Sequence, residues 1–177
     1  MNIINLSLDD NEKVEQTAQL LFESFDSWTT IKQAMEDVIE SLTGEKISRV
    51  VVDPSGQVVG WIAGNSQYNG NVWELHPLVV NKNHRMKGIG RRLVSDFEEC
   101  VIQRGGITIM LGADDEGGST TLANVNLYPD IHSHMARFKG QSHPTSFYQK
   151  LGYAISGVIP DANGIGKPDI MMAKRVK

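Results

Sequence analysis

Apolar positions in the first quarter of the chain follow a helical period. A short apolar stretch at Ile3–Leu6 suits a first strand. After it, apolar residues recur mostly every three or four positions, which is typical of the buried face of a helix. The first helical set comprises Val14, Ala18, Leu21, Phe22 and Phe25. The second set predicts a helix from about Thr29 to Leu42 and comprises Ile31, Met35, Val38 and Ile39.

A run of β-branched residues then changes the pattern to strands. Ile47–Val52 predicts a strand, and the Pro and Gly of Asp53–Gly56 predict a tight turn. Val58–Ile62 predicts the return strand, Gly64–Gly70 the next turn and Val72–Val80 a third strand. These segments predict an antiparallel meander.

The alternation of helix and strand patterns continues to the C-terminus. A helical stripe ends at Gly105-Gly106 and comprises Ile89, Leu93, Phe97 and Val101. Beyond a buried strand at Ile107–Leu111, the residues from Gly112 to Gly140 give no clear assignment. The last predicted elements are a short helix at about Pro144–Leu151 and strands at Tyr153–Ile159 and Ile170–Ala173. The order β-α-α-β-β-β-α-β-α-β-β predicts an α/β protein with a mixed sheet and helices on both faces.

Composition narrows the class of protein. The 177 residues suit one domain, residues 1–177, with 40% hydrophobic and 21% charged side chains. A net charge of −4 argues against nucleic-acid binding and suits a cationic small ligand. The single Cys100 excludes an internal disulfide, and His132-x-His134 has no third convincing ligand, so we expect no metal. Because no secretory signal or long apolar run is present, we expect a cytoplasmic protein that binds no membrane.

A basic, glycine-containing segment stands between the third predicted strand and the next helix. Glycines allow close approach of a ligand to the backbone, and the free N–H groups of a first helical turn point at it, so a pyrophosphate is the natural guest. Walker A and dinucleotide glycine patterns are both absent, which argues against nucleotide hydrolysis and hydride transfer. The segment is Arg85-Met86-Lys87-Gly88-Ile89-Gly90-Arg91.

Pro77 interrupts an otherwise good strand. Proline cannot donate to a strand ladder, so its position predicts a bulge or a strand edge. A bulge leaves nearby N–H groups, notably that of Leu78, available to an extended amide chain or to a developing oxyanion. A plain edge strand is the alternative.

These features, taken in order, resemble the GNAT superfamily of N-acetyltransferases. The bulged strand is followed by R-x-x-G-x-G at a helix start and by an aromatic helix and strand near the end. That third element is Phe147-Tyr148-Gln149-Lys150-Leu151-Gly152-Tyr153. The resemblance implies a mixed, mostly antiparallel central sheet with a splayed, bulged central strand, and acetyl-CoA as cosubstrate without a metal.

Longer stretches are similar to the chromosomal aminoglycoside 6′-N-acetyltransferases of Gram-positive bacteria. They are Trp73–Val80, Arg104–Leu111 and Phe147–Ala173. The similarity implies acetyl transfer to the 6′-amine by direct attack in a ternary complex, and a homodimer. Cys100 falls in the helical stripe region, so an acetyl-cysteine intermediate is not expected.

The resemblance also implies cofactor-binding positions. Backbone N–H groups from Met86 to Arg91 would hold the pyrophosphate. Backbone groups of Leu78, Val79 and Val80 would pair with the pantetheine amides like an added strand. The Leu78 N–H would stabilise the tetrahedral oxyanion. Among the side chains, Arg85 and Tyr148 are further cofactor contacts.

Catalytic roles fall to three side chains. Tyr148 is the candidate general acid for the departing sulfur. Glu74 is the candidate that anchors the cationic amine and accepts its proton, directly or through water. His76 ranks second as base, since residues two apart on a strand share a face but the bulge makes its direction uncertain.

Substrate contacts are expected from acidic and aromatic side chains. An acidic loop after the strand Ile107–Leu111 would hold the ammonium groups of an aminoglycoside. Its members are Asp114, Asp115 and Glu116. Tyr68 and Trp28 are candidates for stacking on sugar rings.

Two alternatives to this function remain. One is the same chemistry on another amine, such as a polyamine, an amino sugar or a protein N-terminus. The other is a non-catalytic acyl-CoA sensor, against which the set of Glu74, Leu78 and Tyr148 argues.

Overall fold

The computed structural model describes residues 1–25 and 27–177, which form two units. The N-terminal unit contains Met1–Ile109 and Val176–Lys177, and the C-terminal unit contains Met110–Arg175. The expectation of a single domain over residues 1–177 stays a prediction. No helix of the described residues is long and apolar enough to cross a membrane.

A four-stranded antiparallel sheet and three helices build the N-terminal unit. The sheet order is β1-β2-β3-β4, so the predicted meander of the last three strands is confirmed. The elements are β1 (Asn2–Asn5), α1 (Asn11–Phe22), α2 (Ile31–Glu40), β2 (Ile47–Val52), β3 (Val58–Gln67), β4 (Val72–Val80) and α3 (Ile89–Gln103). Strand β5 (Thr108–Asp114) begins in this unit and ends in the next.

Alternate residues of β3 point to opposite faces of this sheet, and helices cover both faces. Trp61 and Ala63 belong to the core that contains the buried residues of α1 and α2. On the other face, a Cβ atom at Gly60 would stand 3.1 Å from side-chain atoms of both Ile89 and Leu93 on α3. Helices on both faces of the sheet, as predicted, are therefore present in this unit.

The turn predicted at Gly64–Gly70 is wrong in its first half. Strand β3 continues to Gln67, and the chain reverses only at a single 3-10 turn, Tyr68–Gly70. Gly64 serves packing: a Cβ there would stand 2.3 Å from the Glu74 carbonyl oxygen and 2.5 Å from Cζ of Phe97. The sequence alone does not distinguish a glycine that makes room for a neighbouring ring from a glycine that forms a turn.

In the first two helices the predicted burial of Val14, Ala18, Leu21 and Val38 is confirmed, and other predicted positions are wrong. Helix α1 ends at Phe22, and Phe25 beyond it is 39% exposed. In α2 the buried residues are Ala34 and Val38, whereas Ile31 and Ile39 are 42% and 40% exposed. The small Ala34 lets the helix approach the core, and the larger isoleucines lie outside this face.

The C-terminal unit contains two short helices and an antiparallel hairpin. The elements are α4 (Ile131–Ala136), α5 (Thr145–Gln149), β6 (Ala154–Ile159) and β7 (Asp169–Arg175). Val158 pairs with Ile170, and the register shifts between Ile155 and Gly157. Strand β7 is longer than the predicted Ile170–Ala173, and α4 falls in the stretch that the sequence left unassigned. That stretch folds around Leu122 and Leu127, which form a small core with Ile170.

Candidate active site

The pairing of β3 with β4 contains the bulge that Pro77 predicted. Ile62 pairs with Leu78 and Gly64 pairs with Leu75, so the register shifts by one residue between these pairs. The extra residue of β4 falls at His76-Pro77, whose peptide bond is cis. Pro77 has no N–H group to offer to the ladder at this point.

A cavity of about 280 Å³ lies beside this bulge within the N-terminal unit. We call it the β4 cavity. Helices α1 and α2, the loop between them, the segment before β2, and strands β3 and β4 contribute to its wall. Its lining residues are Leu21, Trp28, Asp37, Glu40, Ser41, Lys46, Trp61, Ala63, Gly64, Asn65, Glu74, His76 and Pro77.

The charged groups of the β4 cavity differ in how far they are already paired. Glu40 forms an ion pair with Lys46, with 2.9 Å between Oε1 and Nζ, and this contact lowers the pKa of Glu40. Asp37 accepts a hydrogen bond from the indole of Trp28. Among the described residues, the half-buried Glu74 has only a long contact, 3.4 Å from Nε2 of Gln67 to its Oε2. Glu74 is therefore the carboxylate of this wall most available to a cationic amine.

Sequence reasoning found Glu74, His76 and Trp28 but missed the acidic residues of α2. Asp37 and Glu40 lie three residues apart and thus close to one another on the helix surface. This spacing of three residues indicates that Asp37 and Glu40 share one polar face of α2. It could not show that this face borders a cavity, because the facing residues come from β3 and β4.

Glu74 and His76 both line the β4 cavity, as expected for residues two apart on a strand. His76 is exposed, and Leu78 is half-buried beyond the bulge. Val79 belongs to the core and is 2% exposed, while Val80 is half-buried. The side chains of Val79 and Val80 thus pack into the unit. The expected contacts of these residues with a ligand therefore fall to their backbone groups.

The glycine loop before α3 presents the open backbone that the sequence predicted. Gly88 is the N-cap residue of α3, with φ +78°. Because it has no side chain, it makes no side-chain hydrogen bond to the first turn of the helix. The first hydrogen bond of the helix runs from the Arg92 N–H to the Gly88 carbonyl. The N–H groups of Ile89, Gly90 and Arg91 precede it and have no partner in the helix, which is the arrangement that binds anions.

Basic side chains of this loop contact backbone carbonyls instead of carboxylates. Arg85 Nε donates to the Val80 carbonyl at 3.1 Å, and Lys87 Nζ donates to the Asn83 carbonyl at 3.0 Å. Met86 has a positive φ of 62° and is fully exposed. Within the described part of the chain, none of these cations forms an ion pair, so their charge is available to an anionic ligand.

Tyr148 lies on α5 in the C-terminal unit, among aromatic rings. It is 8% exposed, with ring centroids 5.0 Å from Phe147 and 5.6 Å from Tyr153. Burial raises the pKa of its phenol well above the ordinary tyrosine value. The group therefore stays protonated at neutral pH and has a proton to donate.

Strand β5 extends to Asp114, beyond the predicted end at Leu111, so of the three acidic residues only Asp115 and Glu116 lie in the loop that follows. Asp115 is 1% exposed, and its carboxylate accepts hydrogen bonds from the N–H groups of Ser119 and Thr120 and from the Ser119 hydroxyl. Burial disfavours its charge, but the bonds from Thr120 and Ser119 prevail and lower the pKa of Asp115. Asp114 and Glu116 are exposed, and Asp114 accepts a hydrogen bond from Asn163. Asp115 thus orders the loop that follows Asp114 and carries Glu116.

The two aromatic candidates differ in position. Trp28 lines the β4 cavity, whereas Tyr68 is 74% exposed at the turn between β3 and β4 and lies outside the cavity wall. In the described residues no group of three or more His, Cys, Asp or Glu side chains is arranged to hold a metal ion.

Comparison with known proteins places the chain in a family. The model of the acetyltransferase (GNAT) family matches residues 14–128. The chain belongs to the GNAT family. The match covers α1, α2, the bulged strand, the glycine loop and α3, and so includes the whole β4 cavity.

Three solved structures of aminoglycoside 6′-acetyltransferases are similar to this GNAT protein over its full length. One, complexed with coenzyme A, is 40% identical with a TM-score of 0.90, and another, from Enterococcus faecium, is 40% identical with a TM-score of 0.92. The third, of type Ii, is 36% identical with a TM-score of 0.79. In each case the alignment covers 100% of this chain and 98% of the other. This similarity confirms the predicted GNAT-type fold.

Proposed function

We propose that this GNAT protein transfers the acetyl group of acetyl-CoA to the 6′-amine of aminoglycosides. The observation that carries the proposal is its full-length similarity, at 36% to 40% identity, to three solved structures described as aminoglycoside 6′-acetyltransferases. The β4 cavity supports it, since its wall holds an available carboxylate beside the bulged strand. A polycationic substrate requires such an acidic site.

Acetyl-CoA fits the residues of the glycine loop. The unpaired N–H groups of Ile89, Gly90 and Arg91 and the cations of Arg85 and Lys87 suit a pyrophosphate. The expected contacts of Met86 and Gly88, and of the backbone at Leu78, Val79 and Val80, are part of the same proposal. The cosubstrate supplies an acetyl thioester, and the protein supplies its binding and orientation.

Each step of the proposed transfer has a residue to perform it. Glu74 holds the substrate ammonium and accepts its proton, directly or through water, with His76 as the second candidate. The amine nitrogen then attacks the thioester carbonyl, forming a C–N bond while the Leu78 N–H stabilises the oxyanion. The C–S bond breaks, Tyr148 donates its phenolic proton to the departing thiolate, and the second proton that the attacking nitrogen loses restores the phenol.

The dimensions and charge of the β4 cavity favour a small cationic ring. Its volume of about 280 Å³ stands at the lower end of small-molecule sites. We therefore place one amino-sugar ring in it, with Trp28 against the ring. Contacts of the substrate with Tyr68, Asp114 and Glu116, and a role of Asp115 in ordering the loop that carries Glu116, are also proposed.

Two further properties have different grounds: a homodimer rests on the family resemblance alone, and a cytoplasmic location rests on the sequence pattern. We propose a homodimer and a cytoplasmic location. Light scattering of the purified protein should give twice the mass of one chain. The mass of a single chain would contradict the dimer and leave the activity untouched.

Release of free thiol from acetyl-CoA tests the function directly. Purified protein is assayed with kanamycin, with spermidine and without acceptor, and NMR of the kanamycin product locates the acetyl group. We expect turnover with kanamycin and acetylation at the 6′ nitrogen. Turnover with spermidine alone would keep the chemistry and overturn the substrate, and acetyl-CoA binding without any turnover would indicate a sensor.

A further inference from the structure

Asp37 and Trp28 are joined by a hydrogen bond on the wall of the β4 cavity. The Trp28 indole Nε1–H donates to Oδ2 of Asp37 over 2.5 Å. Both residues line the cavity that also contains Glu74 and His76. The bond spans nine residues and connects the loop between α1 and α2 to the middle of α2.

The same face of α2 also fixes the backbone next to Trp28. Gln33 precedes Asp37 by four residues, so the two side chains lie on one side of the helix. Oε1 of Gln33 accepts hydrogen bonds from the N–H groups of Thr29 and Thr30, at 3.1 Å and 3.2 Å, and Thr30 completes a capping box with Gln33. The loop end that carries Trp28 is therefore tied to α2 through its backbone.

The indole needs a further contact to have one orientation. The Phe25 ring lies tilted against it, with centroids 5.5 Å apart, and Trp28 packs in part on the core below. Packing without a directional bond lets an indole rotate within its site. Because Asp37 accepts a directional hydrogen bond from the indole N–H, it selects one orientation of the ring at the cavity wall.

We propose that Asp37 is a positioning residue, which orients Trp28 as a flat wall and thereby favours acceptors that carry a sugar ring over linear polyamines. The proposal rests on the proposed function and names a determinant of its substrate class. A sugar ring presents a C–H face that packs on an indole, whereas a linear polyamine depends mainly on charge. Asp37 therefore acts through Trp28 and not through its own negative charge.

Two substitutions separate positioning from charge. Asp37→Ala removes the acceptor and the charge, while Asp37→Asn removes the charge and keeps an amide oxygen that accepts from the indole. Glu36→Gln is the matched control, since Glu36 is an exposed α2 residue paired with Lys32 at 3.6 Å and lies outside the cavity wall. Each variant is assayed with kanamycin and with spermidine at saturating acetyl-CoA. If spermidine is not turned over, its inhibition constant against kanamycin replaces its KM.

We expect Asp37→Ala to raise the KM for kanamycin about five- to tenfold, as loss of one orienting hydrogen bond predicts, with kcat within about twofold. The KM of Asp37→Ala for spermidine, or its inhibition constant where spermidine is not turned over, should stay within about twofold of the wild-type value. Asp37→Asn should retain the wild-type KM for kanamycin, as should Glu36→Gln. Equal losses in the Ala and Asn variants would show that Asp37 acts by charge, and an unchanged KM in the Ala variant would show that it has no role.

A second readout does not depend on turnover. Quenching of tryptophan fluorescence by acrylamide, corrected with the Trp28→Phe variant, reports the access of solvent to Trp28. We expect stronger quenching in Asp37→Ala and no change in Asp37→Asn. Unchanged quenching in Asp37→Ala would overturn the proposal even in an active enzyme. Absence of kanamycin acetylation by the wild-type protein would instead overturn the proposed function, and the quenching would still test the orientation of Trp28.

Discussion

The phenol of Tyr148 shows how one residue's surroundings suit it to a single role. Packing between Phe147 and Tyr153 excludes water from the ring, and burial raises the pKa of the phenol. A raised pKa keeps the proton on oxygen at neutral and moderately basic pH. The group is thus prepared to donate a proton and unsuited to act as a base.

Replacing Tyr148 with Phe should lower kcat about 100-fold, as expected for loss of a general acid, with the Kd for acetyl-CoA nearly unchanged. Steady-state kinetics and calorimetry measure the two quantities. In the wild-type protein, the rate should show no loss from phenol ionisation between about pH 7 and pH 10, because the pKa lies above its ordinary value. An unchanged kcat in the variant would remove Tyr148 from the mechanism.

Gly64 is the residue where the structure most clearly requires the absence of a side chain. A Cβ atom there would overlap the Glu74 carbonyl oxygen and the Phe97 ring. Gly64→Ala should therefore lower the free energy of unfolding by about 2–3 kcal/mol, measured by urea denaturation. Gly117→Ala is the control, because no atom lies within 4 Å of its added Cβ. Equal stability of the two variants would contradict the close approach of α3 to β3.

At the scale of elements, the glycine loop and α3 form the part of the N-terminal unit that is built for an anion. Gly88→Val places a β-branched residue at φ +78°, which strains the loop and displaces its N–H groups. We expect the Kd for coenzyme A to rise about tenfold, as loss of one or two such hydrogen bonds predicts.

The turn between β2 and β3 offers a matched control for that variant. Gly56 has φ +87° and, like Gly88, no atom within 4 Å of an added Cβ. Gly56→Val should cost similar stability while leaving coenzyme A binding at the wild-type value. Equal weakening by both variants would mean that the effect is one of stability and not of the anion site.

The loop after β5 depends on the ionised carboxylate of Asp115. Since the pKa of Asp115 is lower in the folded protein, its contribution is present above the unfolded value of about 4 and is lost as pH falls through the folded value. Asp115→Asn should reduce the free energy of unfolding by about 1–2 kcal/mol at pH 7.

Chemical denaturation of both proteins at several pH values checks the acid dependence. The gap between wild type and Asp115→Asn should narrow below about pH 4, because the wild-type carboxylate then takes up a proton. A gap that stays constant from pH 7 to pH 3 would contradict the role of the charge.

Local patterns predicted the elements and the chemistry that a few consecutive residues determine. Pro77 predicted the bulge, and the glycines before α3 predicted an open helix start, because each acts through its own backbone. Contacts between distant segments escaped prediction. The strand position of Gly64 depends on Phe97, and the cavity wall formed by Asp37 and Glu40 depends on strands β3 and β4.

At the scale of the whole molecule, charge is distributed unevenly in a chain of net charge −4. The segment from Lys82 to Arg92 holds five Lys and Arg residues and no acidic residue. In the β4 cavity Glu40 is paired with Lys46 and Asp37 with the Trp28 indole, which leaves the Glu74 carboxylate for a cation. One region thus suits an anionic cosubstrate and the other a cationic acceptor, as a two-substrate transferase requires.

The most direct test of acetyl transfer to a 6′-amine uses two acceptors that differ only at that position. Neomycin carries an amine at 6′, and paromomycin carries a hydroxyl. With purified protein and acetyl-CoA, we expect thiol release with neomycin and only the background rate with paromomycin. Equal rates with the two aminoglycosides would contradict 6′ transfer, and background rates with both would contradict the proposed function itself.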